Sequence, residues 1–553
     1  MENGSLRVIP LGGMGGIGKN CNVIETENDI LIVDVGIQFP SEEMLGVDVV
    51  IPDFQYLEER KEKIRGIVIT HGHEDHIGGL PYLLEKIAAP IYAPPLALAL
   101  IENKLNARAL QNTTLHTITD GQVVVLGPFS VMPFHVNHSI PDSLGLAIRT
   151  PMGLIVHTGD FKIDHTPLEG PPSDMGAMAR LSSEGVLLLM SDSTNAESPG
   201  YTPSEGQLRD VFDQVFSRAE GRIIVATFAS LLSRVQLVIE TAHKYGRKIA
   251  IAGRSMEQNV EIAQNLGYIR FPEGSRVPIS EINNLPDNEI VIMATGSQGE
   301  PNSALARMAV GRFRYARIRE GDTVILSSYA IPGNETAIYR NIDNLFRRGA
   351  QVVYGRQAGL HVSGHAAQEE LKMMLNLLRP TYFVPLHGAY RMLHQHAWLA
   401  QEMGMPQENI FVLDNGDVLE LTPEGARLGE SVPAEGILVD GSLVGDVGRS
   451  LLRDRMTLAQ DGIVVVKVTI NAQTGTILHE PEIVSHGFVY VPEAQELLDA
   501  GEEAISEVIE SYQGNGAGYE PEQVSTLIER RLSNFFYNET RRRPVVVAVV
   551  STH

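Results

Sequence analysis

Three histidines and an aspartate lie within six positions in the segment ITHGHEDHIGGL. They are His71, His73, Asp75 and His76, and they follow the short apolar run Gly66–Thr70, which is predicted to be a β-strand. A loop that leaves the end of a strand can direct several closely spaced side chains to one point. Neutral imidazoles and carboxylates are suitable ligands for Zn²⁺ and Mn²⁺. The spacing therefore predicts a metal centre.

A glycine-rich segment near the start of the chain, PLGGMGGIGKNCN, fits two nucleotide-binding patterns. Gly13, Gly15 and Gly18 match G-x-G-x-x-G, and Gly13–Lys19 match most of the P-loop pattern, with Asn20 where Ser or Thr is required. Both patterns need a following helix, because the helix N-terminus holds the phosphate. The next residues, CNVIETENDILIVDVG, instead predict two strands joined by a polar turn. We therefore expect a tight turn between strands at this position.

Length and charge limit the class of protein. A chain of 553 residues is too long for one core and predicts about two to four domains. The formal net charge of −24 argues against nonspecific nucleic-acid binding, which depends on neutralising phosphates. Residues 301–360, however, contain nine Arg, no Lys and four acidic residues. This basic island is typical of a groove for polyanions, and equally of a solvated helix face with its own counter-charges.

Cysteine content and hydropathy bear on the compartment. The sole cysteine, Cys21, allows no internal disulfide, which favours a reducing compartment. The segment MENGSLRV lacks the features of a signal peptide, and no apolar run approaches the ~20 residues of a membrane span. We expect a cytoplasmic protein that does not associate with membranes.

The elements that must position these residues change in style along the chain. Up to about residue 203 the pattern predicts short strands, among them Asp29–Val35, Gln122–Leu126, Ser130–Pro133 and Leu154–His157. From Ser204 onward helices alternate with apolar runs that are typical of a buried parallel sheet. The stretch Thr422–Gly448 is rich in Gly, Pro and acidic residues and indicates a linker or an extended connection. The remainder predicts a small α+β domain.

The segment HGHEDH resembles the H-x-H-x-D-H signature of the metallo-β-lactamase fold, and supporting segments follow in that family's order. The resemblance implies one metal on His71, His73 and His138, a second on Asp75, His76 and His387, and Asp160 between the two. Asp34, at the end of ILIVD, would orient a metal-bound histidine. As an alternative, His135 or His157 could take the place of His138 as a metal ligand. Asp34 could also be a simple turn residue.

The 227-residue separation of Asp160 and His387 leaves room for an inserted domain. Asp192 in LMSDSTN, His365 in HVSGHA and His387 in PLHG resemble motifs of β-CASP nucleases. The segments FPSEEMLGVDVVIPD, HSIPDS, TFAS, SSYAIPGNE and VDGSLVGDVG, together with PLGG and IGKN, are similar to the ribonuclease J family.

The resemblance implies an α/β architecture: a metallo-β-lactamase αββα sandwich with an inserted α/β β-CASP domain and a small α+β C-terminal domain. The expected divisions are 1–203 for the first part of the metallo-β-lactamase domain, 204–356 for the insertion, 357–421 for its completion, 422–455 for a linker and 456–553 for the C-terminal domain.

The resemblance also implies a metal-dependent ribonuclease that holds two divalent ions, Zn or Mn, per subunit. Such enzymes act as 5′→3′ exonucleases on single-stranded RNA with a 5′-monophosphate, with additional endonuclease activity, in mRNA decay and rRNA processing. The catalytic residues would be Asp75, Asp192 and His365, with His365 either donating a proton or binding phosphate. The 5′-phosphate and RNA contacts would come from Ser230, His361, Ser363, Gly364, His365 and Ser328.

The resemblance also bears on what the protein binds and on which other functions are possible. The implied partners are single-stranded RNA, a second copy of the chain in a homodimer or higher homo-oligomer, and RNA-decay proteins. Arg312, Arg314, Arg317 and Arg319 would line an electropositive wall of the RNA groove, or else form a solvent-facing strand edge. The alternative functions are a DNA-directed β-CASP nuclease, a hydrolase of small esters, thioesters or lactones, and a non-catalytic RNA-binding scaffold.

Three positions depart from the family pattern. Gly16 stands where Glu is common, Leu231–Ser233 replace an expected Asn and His after TFAS, and Ala389 replaces the acid of HGEYR. None of these changes removes a predicted metal ligand. They bear on contacts with RNA and on the support of the ligands.

Overall fold

The computed structural model describes residues 4–552, apart from residues 42, 332, 447, 472–473, 475, 490–493 and 514–519. The chain forms two compact units, Met1–Phe39 with Val49–Ile437 and Pro40–Asp48 with Leu438–His553. Among the described helices, none combines the length and the apolar character needed to cross a bilayer.

The first part of the first unit consists mainly of short strands, as predicted. Its strands are β1 Leu6–Gly12, β2 Cys21–Glu25, β3 Ile30–Val33, β4 Val49–Ile51, β5 Ile64–Val68, β6 Ile91–Ala93, β7 Leu115–Thr117, β8 Val124–Leu126, β9 Phe129–His135, β10 Leu144–Thr150, β11 Gly153–His157 and β12 Val186–Asp192. Its helices are α1 Gln55–Glu58, α2 Glu74–Ile77, α3 Leu80–Leu84, α4 Pro95–Lys104, α5 Ala107–Gln111 and α6 Met175–Glu184.

Repeating helix–strand units follow, as the apolar runs predicted. They are α7 Leu208–Arg218, β13 Ile223–Ala226, α8 Leu232–Lys244, β14 Lys248–Ala252, α9 Arg254–Asn265, β15 Ile290–Ala294, α10 Ala304–Ala309, β16 Thr323–Leu326, α11 Glu335–Arg347 and β17 Gln351–Val353. The strands form one parallel sheet in the order β14-β15-β13-β16-β17. Alternate residues of β13 face opposite layers, because Val225 packs among α7, α8 and α9 and Ile224 among α10 and α11.

The chain then returns to the first fold. The remaining elements of this unit are α12 Gln368–Leu378, β18 Tyr382–Leu386, α13 Tyr390–Glu402, β19 Leu419–Thr422 and β20 Gly425–Leu428. Strand β18 pairs in parallel with β12, so the helix–strand section is inserted between two neighbouring strands.

Two sheets form the sandwich of the first unit. One has eight strands in the order β20-β19-β1-β2-β3-β5-β6-β7, and the other has six in the order β18-β12-β11-β10-β9-β8. Apolar side chains of both sheets share one core, in which Val33 and Val68 of the first sheet lie with Leu146 and Met190 of the second. Helices α6, α12 and α13 cover the other face of the six-stranded sheet through a separate core. The layers are those of the predicted sandwich.

The glycine-rich segment joins β1 to β2, which pair in antiparallel fashion, as predicted. Gly13, Gly15 and Gly18 all have positive φ, a conformation that glycine adopts at little cost. No helix follows the segment, so the geometry of a P-loop is absent at these described residues.

The second unit has its own core. Its elements are β21 Ile437–Asp440, whose first residue belongs to the first unit, β22 Leu443–Val444, α14 Arg449–Asp461, β23 Ile463–Ile470, β24 Ile477–His486, α15 Gln495–Gln513, α16 Pro521–Thr540 and β25 Val545–Thr552. Strands β24, β23 and β25 form a sheet against which α15 and α16 pack.

The stretch 422–455, where we expected a linker, is more ordered than its composition indicates. It contains β20, β21, β22 and the first half of α14. Pro423 and Glu424 form the tight turn between β19 and β20, where Thr422 pairs with Gly425. The Gly and Pro residues that suggested a linker are therefore partly turn residues of a hairpin.

Candidate two-metal centre

Every predicted metal ligand lies at or just after the carboxyl end of a strand. The segment His71–His76, whose last three residues begin α2, follows β5, His138 follows β9, Asp160 follows β11, and His387 comes directly after β18. Strands β9, β11, β12 and β18 run in the same direction in one sheet. Their ends therefore meet at one edge, where ligands in α/β proteins commonly lie.

Three imidazoles form the first group. Nε2 of His71 lies 3.1 Å from Nδ1 of His73, and Nε2 of His138 lies 3.2 Å from the same atom. Burial lowers the pKa of His73 to about 4, and it lowers the pKa of His71 and His138 well below the ordinary value. The three rings are therefore neutral, and their ring nitrogens have lone pairs available to bind a cation.

Two carboxylates and two imidazoles form the second group. Nε2 of His76 lies 3.7 Å from Oδ2 of Asp75 and 3.3 Å from Oδ2 of Asp160. Nε2 of His387 lies 3.2 Å from Oδ2 of Asp75. Oδ2 of Asp160 is also 3.7 Å from Nε2 of His71, so this carboxylate lies between the two groups.

The donor geometry fits metal ions. In each group the ligand atoms lie within 4.8 Å of one another. Ligands about 2.0–2.1 Å from a tetrahedral metal are about 3.3 Å apart, close to the separations seen here. Nε2 of His387 is buried, and although it lies 3.2 Å from Oδ2 of Asp75 it forms no well-directed hydrogen bond among the described residues. A buried nitrogen without a partner is costly, and a metal ion would satisfy it.

Neighbouring polar groups fix which nitrogen of each ring is free. Oδ2 of Asp34 lies 2.8 Å from Nδ1 of His76, which turns Nε2 of that ring toward Asp75 and Asp160. Thr70 donates its hydroxyl to Asp34 at 2.9 Å and accepts from Nδ1 of His71 at 3.0 Å. The carbonyl of Gly364 accepts from Nδ1 of His138 at 2.7 Å. Such contacts orient metal-binding histidines in general.

The backbone is strained at two of these positions. Asp34 and His387 have φ of 61° and 52°, in the left-handed region that L-residues rarely adopt. Strain of this kind concentrates at functional sites, because the surrounding structure must hold it in place. Asp34 also contacts His76, so its strained backbone lies directly beside a candidate ligand.

The glycine-rich segment supports this strained backbone. Met14 and Gly16 form β-bridges with Gly388, next to His387. The side-chain amide of Asn20 contacts Nε2 of His76 at 3.1 Å. The segment that resembled a phosphate-binding loop thus packs against the candidate ligands.

The two alternative histidines lie outside the metal groups. Nε2 of His135 donates to the carbonyl of Pro171 at 3.0 Å. Nδ1 of His157 accepts the backbone N–H of Gly159 at 3.0 Å. The structure brings His138, and neither alternative, to the other ligands.

Asp192 and His365 form a pair beside the second group. Oδ2 of Asp192 lies 2.7 Å from Nδ1 of His365, which leaves Nε2 of that ring free. Burial acts to lower the pKa of His365, but the Asp192 carboxylate outweighs it, and the pKa is raised above its ordinary value. The side chain of His365 is 20% exposed, so a protonated ring can meet a substrate.

A cavity of about 710 Å³ opens onto this centre. The wall contributed by the inserted helix–strand section lies at the carboxyl ends of β13, β14 and β16. It consists of Phe228–Leu231, the start of α9 and Tyr329–Ile331. Ser230, His361, Ser363, Gly364 and His365, which we expected to contact RNA, all line the cavity. Gly364 allows a close approach, because a Cβ there would lie 2.8 Å from the ring of His138.

Ser328 and the predicted basic wall lie elsewhere. The hydroxyl of Ser328 contacts the carbonyl of Ser297 and the side chain of Gln298 and is not among the lining groups. The expected wall of Arg312, Arg314, Arg317 and Arg319 does not line the cavity either. The cationic side chain that does so, among the described residues, is Lys104, whose Nζ lies 2.7 Å from Glu74.

The three departures from the family pattern are accommodated locally. A Cβ at Gly16 would meet its nearest atom at 3.6 Å, so the site has room for a side chain. Leu231 is buried in the cavity wall, and Ser233 donates to Glu205 at 3.1 Å. Ala389 begins α13 without a side-chain cap.

Several supporting residues had no signal in the sequence. Thr70, Asn20 and Glu370 are single polar residues whose partners lie far along the chain. Ser255, Gln258 and Asn259 of α9 line the cavity, but no motif marks that helix. Only the fold brings these residues to the site.

Comparison with known families covers most of the chain. The metallo-β-lactamase superfamily matches residues 14–197, and the ribonuclease J β-CASP domain matches residues 220–345. The Zn-dependent metallo-hydrolase RNA specificity domain matches residues 349–413, and the ribonuclease J C-terminal domain matches residues 450–553. These matches confirm the predicted fold class and support divalent-metal binding.

Individual proteins are similar over nearly the whole length. Ribonuclease J 1 of Streptococcus pyogenes is 44% identical over 99% of this chain and 97% of its own. Ribonuclease J of Synechocystis is 47% identical over 92% of this chain and 79% of its own. A crystal structure of an Enterococcus faecalis protein of unknown function covers 75% of this chain and 100% of its own, with a TM-score of 0.53 and 16% identity, a likeness of fold alone.

Proposed function

The chain belongs to the ribonuclease J family of metal-dependent nucleases, and from that premise we propose that it removes nucleotides one at a time from the 5′-monophosphorylated end of single-stranded RNA. It also cleaves RNA internally. One observation supports this proposal above the others: the candidate metal ligands and the predicted phosphate-binding residues open into the same cavity. The scissile phosphate and the 5′-terminal phosphate of one RNA strand can be held in this cavity together.

Each predicted ligand has a defined task in this proposal. His71, His73 and His138 would hold one divalent ion, Asp75, His76 and His387 would hold the other, and Asp160 lies between the two groups. When bound, the two ions supply water activation and charge stabilisation at the scissile phosphate. Asp34 and Thr70 keep the imidazoles in the tautomer that binds metal.

His365 acts on the leaving group. Its Nδ1 is held by Asp192, and its protonated Nε2 donates to the 3′-oxygen as the phosphodiester bond breaks. The alternative role is charge-assisted binding of a phosphate oxygen by the same ring. Asp192 serves either role, because it orients the ring and favours its charged form.

Ser230 and the segment His361–Gly364 hold the terminal phosphate. Ser230 forms no side-chain hydrogen bond to the described protein, and Ser363 accepts only the N–H of His365, at 3.1 Å. Their hydroxyls are therefore available to donate to a phosphate. In this proposal the site for the terminal phosphate lies one nucleotide from the metal centre. Each cleavage therefore releases a single nucleotide.

The wider role follows the family. We place the activity in mRNA decay and rRNA processing in the cytoplasm, in a homodimer or higher homo-oligomer that works with RNA-decay proteins. The similar proteins are named ribonucleases, which supports RNA over DNA as the substrate. Either Zn²⁺ or Mn²⁺ suits the His and Asp ligands.

The test uses purified protein, Mn²⁺ and single-stranded RNA labelled on its 5′-monophosphate, with the Asp75→Ala variant as the blank. We expect release of the label as a single nucleotide, absent in the blank. If internal fragments appeared without mononucleotide, the protein would still be a nuclease, but the proposed pocket for the terminal phosphate would be contradicted. Cleavage of a matched DNA strand in preference to RNA would instead support the DNA-directed alternative.

A further inference from the structure

Among the arginines of the β-CASP insertion that form no ion pair in the described part of the chain, four lie close together outside the cavity. They are Arg307, Arg312, Arg314 and Arg348, and none forms an ion pair with a carboxylate of the described part of the chain. The first three are exposed and the fourth is half-buried. They belong to the segment 301–360, with nine Arg against four acids in a chain of net charge −24.

Two aromatic rings lie among these arginines. The guanidinium of Arg307 is 5.6 Å from the centre of the Phe313 ring, and that of Arg314 is 5.4 Å from the centre of the Tyr315 ring. The two rings meet edge to face with centres 5.9 Å apart. We call Arg307, Arg312, Arg314 and Arg348 with Phe313 and Tyr315 the arginine–aromatic surface.

Backbone contacts hold this surface together. The carbonyl of Arg307, in α10, accepts the N–H of Arg312 at 2.7 Å and that of Phe313 at 3.1 Å. Arg348, just after α11, donates from Nε to the carbonyl of Ala309. The end of α10, the loop after it and the end of α11 therefore present their cations together.

The acids of the same segment do not balance these charges. Asp322 is buried in a bidentate pair with Arg222, at 2.6 and 2.8 Å. Arg319, by contrast, is paired with Asp287 and contributes no free cation. The surface is thus a local concentration of uncompensated positive charge beside half-buried rings.

We propose that the arginine–aromatic surface is a second binding site for single-stranded RNA, separate from the catalytic cavity. This proposal rests on the proposed function. Guanidinium groups bind phosphate oxygens through paired N–H donors. Aromatic faces stack with bases whatever the sequence, and arginine adds cation–π contacts. An acidic peptide would use the arginines but would leave the rings without a role.

The test compares the triple variant Arg307→Gln, Arg312→Gln, Arg314→Gln with its parent, both carrying Asp75→Ala to prevent cleavage. Binding of a 5′-monophosphorylated 30-nucleotide RNA and a 4-nucleotide RNA is measured by fluorescence anisotropy between 50 and 300 mM KCl. Each lost phosphate contact reduces the slope of log K against log salt by about 0.7 for a single strand. We expect the slope for the long RNA to become shallower by about 2, and affinity for the short RNA to be unchanged.

The matched control changes the same charge elsewhere. Arg149→Gln, Arg209→Gln, Arg531→Gln removes one partly buried and two exposed arginines that are already paired with Glu184, Glu240 and Glu507. Equal effects of the two triple variants would overturn the proposal, because only net charge would then matter. An unchanged slope, with polyglutamate binding lost instead, would also overturn it and assign the surface to an acidic protein. The protein without the Asp75→Ala change should cleave the short RNA. If it does not, the proposed function is contradicted, but the binding result for the arginine–aromatic surface still stands.

Discussion

At the scale of single residues, the imidazoles of the centre fall into two sets: burial lowers the pKa of three of them, whereas neighbouring carboxylates outweigh burial and raise the pKa of His76, His387 and His365. Burial keeps His71, His73 and His138 neutral, as cation ligands must be. Asp192 gives His365 the opposite property by raising its pKa. One site can therefore hold divalent ions and still offer a proton, since the two kinds of ring have different partners.

His365 can be assigned to proton donation or phosphate binding by changing the leaving group. A 3′-sulfur leaving group departs as a thiolate and needs little help from an acid, whereas a 3′-oxygen does need it. If His365 is the acid, His365→Ala should lower kcat about 100-fold or more on ordinary RNA and much less on RNA with a bridging 3′-sulfur. Metal content, measured by mass spectrometry, should stay at the parental level.

The matched control for that experiment is His394→Ala, a histidine on α13 that contacts the ring of Tyr390. It should leave both rates unchanged. Equal losses on the two substrates for His365→Ala would show that the ring binds phosphate.

The ligands were predictable because four of them are adjacent in HGHEDH and the others lie in short family segments. Their hydrogen-bond partners were not predictable. Thr70 is next to His71 in the chain, but its role depends on Asp34, which lies 36 positions away. A carbonyl such as that of Gly364 has no side chain to reveal its contact with His138.

At the scale of elements, one buried carboxylate ties together the loops that carry the centre. Glu370, in the first turn of α12, is fully buried. Its oxygens accept the backbone N–H of Ile163 at 2.8 Å, of Thr202 at 2.7 Å and of Ala367 at 2.9 Å. Ile163 follows Asp160, and Ala367 follows His365. The carboxylate thus joins the loop of a candidate ligand to the loop of the candidate acid.

Replacement of Glu370 by Ala should destabilise the protein strongly. It would leave three buried N–H groups unsatisfied, and each such group costs about 1–3 kcal/mol. We expect the free energy of unfolding to fall by about 3–5 kcal/mol, as measured by urea denaturation. Glu369→Ala is the control, since that side chain is 41% exposed in its pair with Lys372. A loss below about 1 kcal/mol for Glu370→Ala would contradict this account.

Strands and helices followed from periodicity where the pattern was strong. The apolar runs of the insertion predicted β13, β15 and β16, and the structure has all three in one parallel sheet. Composition misled us at 422–455, because Gly and Pro occur in both linkers and hairpins. Charge misled us at Arg312 and Arg314, because a sequence does not tell which side of a domain a loop faces.

At the scale of the whole molecule, the candidate ligands join two sheets. His71, His73, Asp75 and His76 follow a strand of the eight-stranded sheet, whereas His138, Asp160 and His387 follow strands of the six-stranded sheet. Cations held by these residues would therefore cross-link the two layers at one edge. The second unit has a separate core, which includes Val466, Ile505 and Phe536, and contributes none of the predicted ligands.

Metal removal should therefore affect one part of the molecule and not the other. A cation that binds only the folded state, present at about 1,000 times its Kd, stabilises that state by about 4 kcal/mol. Differential scanning calorimetry with Mn²⁺ or with a chelator should show the transition of the first unit moving up by several degrees with metal. The transition of the second unit should stay in place. Asp75→Ala should reduce the shift, whereas Glu85→Ala, at an exposed carboxylate outside both groups, should leave it intact. If both transitions moved together, or if both variants kept the full shift, the cations would not be acting through the ligands that join the two sheets.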